Sequence, residues 1–202
     1  MKKKYLLILM IGLFALLFTI SVGAVYNYDN NMIYKLGQMI MHQNKESDSD
    51  GNVYARGKNI SITKKEMKDY TNRFMLSDCN EDEAQNRAFQ FLVRSKTLLF
   101  AAKSEGYEVD DSELDQIIED RKKEMNDPAY KDTMKPMYAA FGGEEKYWEY
   151  IREDIRNSAI IEKFFVDKEK EYSSLEEDKS WEEEQQQLIE ELIREQNVKI
   201  VK

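Results

Sequence analysis

The chain has 202 residues, and its 30 Lys and Arg against 39 Asp and Glu leave a formal charge of −9. One Cys and one His exclude an internal disulfide framework and a zinc site of the usual Cys/His type, and the acidic balance argues against a nucleic-acid partner, which needs phosphate-neutralising cations. Two Pro and eight Gly are too few for a sandwich or barrel with many turns, so a composition rich in Glu, Lys, Leu, Ile and Met predicts a mainly helical fold.

Lys2, Lys3 and Lys4 precede a stretch from Tyr5 to Tyr28 without a charged residue. Residues 5–26 are long enough for a membrane helix, which takes about 20 residues. The same stretch has the layout of a secretory signal, with Val22 and Ala24 placed for cleavage after Ala24. Residues 1–28 are therefore a transmembrane anchor or a signal peptide. Both place the remainder on the extracytoplasmic side, because the lysines stay inside. The remainder is then membrane-bound, or secreted if cleaved. Cleavage removes three positive charges and no acidic ones, taking −9 to −12.

Residues 29–51 are polar and predict a tether, and Gln43–Gly51 contains no apolar side chain. Glu46, Asp48 and Asp50 loosely resemble a calcium loop, but Gly57 stands where the bidentate Glu belongs. Val53–Ala55 and Ile60–Ile62 flank Arg56–Asn59 and predict two short strands around a turn. Thr63 and Glu66 form a capping box for a helix over about 64–76, with Met67, Tyr70 and Phe74 on one face. Asn80 caps a helix over about 81–104 that Gly106 ends. One stripe there holds Ala84, Ala88, Phe91, Leu92, Ser95, Leu98, Leu99 and Ala102, and a second holds Phe89, Val93 and Phe100. Such a helix is central to a fold or lines an apolar surface.

Asp110 and Glu113 repeat the capping pattern before a helix over about 111–125. The Met- and aromatic-rich segment Tyr130, Met134, Met137, Tyr138, Phe141 follows and ends at Gly142-Gly143. A helix is expected over about 144–168, a charged break over 167–180, and a last helix from about Leu175 or Trp181 to Gln196. Val198–Val201 alternates as a terminal strand. Its only candidate partners lie at 53–62, so both ends of the region 52–202 are expected to meet in one small sheet.

Four pieces carry a resemblance to the SurA N-terminal domain family, the chaperone part of SurA-type and PrsA-type extracytoplasmic folding factors. They are ISITKKEMKDYTNRF, LVRSKTLLFAAKSEGYEVDDSELDQIIEDRKKEM, Phe141-Gly142-Gly143 followed by EEKYWEYIREDIRNSAIIEKFF, and the closing NVKIV. The resemblance covers about Val53 to Val201 and implies a helical chaperone domain over 52–202. In that family a parvulin-type prolyl isomerase domain often precedes the last helix and strand. Only 15 residues separate Phe165 from Trp181 here, while a folded domain takes about 50 or more. The isomerase activity is therefore not expected.

Other chemistry is sparse. His42 sits in the tether with no fixed Cys or Ser partner, as a general base requires. Cys79 lies in the polar turn 77–80, near a helix start that could lower its pKa. No phosphate-cradling loop is present, so neither nucleotide nor cofactor is expected, and no metal. Asp110-Asp111 and Glu182–Glu184 are helix N-terminal charges. The remaining signal is apolar. Met adapts to varied partners and aromatics add contact area at low entropic cost. Phe89, Met125, Tyr130, Met134, Met137, Tyr138, Phe141, Tyr147 and Trp148 are the candidates for binding unfolded or newly exported polypeptides. Ordinary core packing is the alternative for each. At the level of function, the alternatives are a membrane-tethered module with one fixed partner, or a peptidyl-prolyl isomerase.

Overall fold

The computed structural model describes residues 30–43, 53–75, 80–128, 131–173 and 180–201. The apolar segment 5–26, the acidic stretch 44–52, Cys79 and Tyr130 lie outside them. Among the described residues the chain is mainly helical, with one three-stranded antiparallel sheet, and no helix is long and apolar enough to cross a membrane. The elements are α1 (Asn30–Gln43), β1 (Val53–Arg56), β2 (Ser61–Thr63), α2 (Lys64–Met75), α3 (Glu81–Ser104), α4 (Asp111–Met125), α5 (Lys131–Phe141), α6 (Glu144–Tyr150), α7 (Arg152–Ser173), α8 (Trp181–Gln196) and β3 (Lys199–Ile200). They divide into two compact units. One comprises the chain up to Ser47 with Val109–Arg156, the other Asp48–Glu108 with Asn157–Lys202.

The second unit carries the sheet, ordered β2-β1-β3. Ala55 faces Ile62 on one side and Ile200 on the other, so the terminal strand does join the strands at 53–62. The β1–β2 turn is fixed to the end of α8. Lys58 N–H donates to the Gln196 carbonyl (2.8 Å), and Asn59 N–H donates to Gln196 Oε1 (2.9 Å). Gly57 suits this closeness, since a Cβ there would stand 3.0 Å from the Gln196 carbonyl oxygen, tighter than an ordinary contact.

The capping signals set the helix starts. Thr63 Oγ1 accepts from Glu66 N–H (3.1 Å) while Glu66 Oε2 accepts from Thr63 N–H (2.8 Å), the reciprocal capping box. Asn80 and Asp110 side chains accept from the N–H groups of Glu83 (2.9 Å) and Glu113 (2.8 Å). Gly106, at φ 88°, closes α3 with paired bonds from Gly106 to Lys103 and from Tyr107 to Ala102. α2 packs on α3: Met67 is buried, Tyr70 and Phe74 set their rings against Phe91, and Lys96 pairs with Glu66 at 2.6 Å. α3 is central to its unit, with both apolar stripes largely interior and Phe100 at the surface.

Three expectations are corrected. Residues 30–43 of the expected tether form a helix, because Ile33, Leu36, Gly37 and Ile40 recur at helical spacing beneath a polar average. The single helix expected over 144–168 is two, separated at Ile151. The charged break expected from Asp167 is helical as far as Ser173. Its charges pair along the helix, Lys170 with Asp167 and Lys168 with Glu171, and charge opposes burial rather than helix formation.

Candidate polypeptide-binding site

The first unit is built on two glycines. Gly142 (φ 77°) ends α5 through bonds from Gly142 N–H to Ala139 and from Gly143 N–H to Tyr138. Gly143 (φ 136°) then starts α6. Only glycine adopts such angles without strain. The reversal stacks the aromatic residues of the two short helices. Tyr147 lies edge-to-face with Tyr138 (5.2 Å), Phe141 (5.3 Å) and Trp148 (5.2 Å), and Phe141 also meets Tyr150 (5.0 Å). Each such pair adds about 0.5–1.5 kcal/mol beyond its buried area.

These positions are not an open surface. Met137, Phe141, Tyr147 and Trp148 are only 4%, 2%, 3% and 5% exposed, so as candidates for direct client contact they are corrected to core residues. Met125, Met134 and Tyr138 are half-buried at the margin of the same unit. Phe89 is half-buried in the other unit, edge-on to Tyr54 at 6.1 Å, and does not join this cluster. Tyr130 lies outside the described residues.

The helix covering α5 is α1, within the segment whose polar composition predicts a tether. Ile33 and Ile40 are buried, and Leu36 and Met39 are half-buried. Gly37 sits at the crossing. A Cβ there would come within 2.4 Å of Ala140 Cβ and 3.2 Å of Met137 Sδ. Two hydrogen bonds from side chains join the partners, from Gln38 Nε2 to the Ala140 carbonyl (3.0 Å) and from the Tyr150 hydroxyl to the Ile40 carbonyl (3.4 Å). Ile33, Leu36, Gly37 and Ile40 stand at i, i+3, i+4 and i+7, the anchor pattern of an amphipathic helix laid in an apolar seat. That spacing was the available sequence signal.

The electrostatics suit a dry seat. Burial, and then the negative charge of Glu144, push Tyr138 up to about 12. Burial likewise holds Tyr147 well above the ordinary tyrosine range. Trp148 Nε1 donates to Glu144 Oε1 (3.3 Å). Away from the seat, Arg156 binds Asp111 (2.6 Å) and the Val109 carbonyl (2.7 Å), while Arg152 binds Asp115 (2.6 Å), tying the start of α7 to the start of α4. The hydrogen bond from Arg156 lowers the Asp111 carboxyl below its usual range. Among the described residues no group of three or more His, Cys, Asp or Glu could hold a metal. No protein-family model, curated protein or solved structure matches the chain.

Proposed function

We propose that this protein is an extracytoplasmic, ATP-independent chaperone-like factor that binds unfolded or newly exported polypeptides, in the manner of the SurA N-terminal domain family that its sequence resembles. The observation that carries the reading is the seat itself. A Met- and aromatic-lined face of α5 and α6 holds a segment of polypeptide, α1, mostly by apolar contact and with two side-chain hydrogen bonds across the contact. Away from the glycine crossing, apolar contact of that kind tolerates many sequences, and Met side chains repack against different partners. The basic, apolar N-terminus supports export or anchoring. The test is light scattering of a reduced, unfolded client. The full chain at a few-fold molar excess suppresses aggregation without nucleotide. No suppression at several-fold excess contradicts the reading.

One observation favours the second reading, a module with one fixed partner. The fit at Gly37 and Ala140 leaves no room for a Cβ, and so close a fit is selective. A single dominant crosslinked partner, with no effect on unfolded clients, distinguishes it.

A further inference from the structure

We infer that the face made by α5 and α6 is a helix-binding site, that α1 is its resident and exchangeable occupant, and that its ligand class is an amphipathic helix carrying a glycine where it crosses Ala140. This deepens the function proposed above and rests on it for the source of the ligand, a helical segment of an exported polypeptide.

Three observations lead there. First, α1 shows what the site accepts. Ile33, Leu36 and Ile40 supply apolar anchors at i, i+3 and i+7, and Gly37 at i+4 lets the helix approach Ala140 closely. A larger residue at the crossing is excluded by the 2.4 Å approach.

Second, α1 is suited to leaving. It has 14 residues, about the length at which an isolated helix is marginal in water, so it forms because it is seated. Its outer face exposes Asn31 and Lys35 beside Tyr34. Release uncovers Ile33, Leu36, Met39 and Ile40 on α1, so exchange is driven by a client helix taking its place rather than by spontaneous departure.

Third, the sequence that follows, Gln43–Gly51, has no apolar side chain to dock beside it. As part of the same chain, α1 competes for the seat at an effective local concentration. A client helix of greater intrinsic affinity displaces α1. The resident helix meanwhile keeps Met137 and Phe141 from exposure.

The test is binding of a labelled peptide spanning residues 30–43 to the full chain, read by fluorescence anisotropy. Gly37→Leu in the full chain blocks seating of α1 without removing a helix former, so the peptide binds that variant at least ten-fold more tightly than the wild-type chain. A peptide carrying Gly37→Leu binds neither. Equal binding of the wild-type peptide to both chains, or binding to neither, overturns the proposal. Amide hydrogen exchange on the wild-type chain covers the case in which the variant misfolds. α1 exchanges faster than α3, and added peptide accelerates α1 alone. Exchange of α1 only at the rate of α3, unmoved by peptide, also overturns it. Loss of aggregation suppression with peptide exchange intact would reject the chaperone reading but leave the helix site standing.

Discussion

At Phe141 the burial of one side chain separates two roles that the sequence left open. A Met- and aromatic-rich segment has the same composition whether it lines a core or a surface, because both demand apolar area. Phe141 lies at 2% exposure among Tyr147, Tyr150 and the crossing at Gly37. Phe141→Ala is therefore expected to cost about 3–5 kcal/mol in chemical denaturation, as a buried aromatic does. Met125→Ala, at a half-buried site, is expected to cost clearly less. Equal costs would contradict the assignment of Phe141 to the core. Gln196 is the corresponding polar position. Its side chain holds the Asn59 N–H (2.9 Å), and Gln196→Ala is expected to lose about 1 kcal/mol of stability by the same measurement.

At the scale of elements, α5 and α6 respond to alkali. The folded-state Tyr138 sits at about 12, above the ordinary value of 10. Stability from its neutral form is complete below pH 10. It is lost as pH rises from there through about 12, where the unfolded chain releases the proton first. Tyr147 shifts in the same direction. Thermal melts between pH 9 and 12 are expected to show a falling midpoint that Tyr138→Phe makes shallower. An unchanged slope would contradict the burial of that hydroxyl.

The elements also show what was legible in the sequence. Starts marked by Thr63, Asn80 and Asp110 and ends marked by Gly106 and Gly142 follow from local hydrogen-bonding chemistry, and the long-range β1–β3 pairing follows from a terminal strand's need for a partner. Pro136 lies inside α5, where it cannot donate to the carbonyl four residues back. That helix exists through packing, which no local signal reports. α1 is the same case from the other side. Its apolar stripe is short and its surroundings are polar, so averaging hid it. The burial of Met137, Phe141, Tyr147 and Trp148 was not legible, because the helix that covers α5 comes from about a hundred residues away in the chain.

For the whole molecule, the sequence combines a basic, apolar N-terminus with a net charge of −9, and the chain's own helix α1 occupies the face of α5 and α6. Under the proposal, α5 and α6 support that face and α1 is its removable cover. The absence of room for an isomerase domain between Phe165 and Trp181 predicts that peptide prolyl isomerisation stays at background, as a coupled-protease assay would read it. Activity above background would return the isomerase reading to consideration.

The central claim is that client polypeptides are held on the α5–α6 face. Site-specific photo-crosslinking to an unfolded client reads it most directly, with the probe at Met134, on the same helical face as Met137 and Phe141, or at exposed Gln186 of α8 as control. The account predicts client crosslinks from Met134, increased by Gly37→Leu, and few from Gln186. Equal crosslinking from both positions, or none from Met134 in either chain, would contradict it.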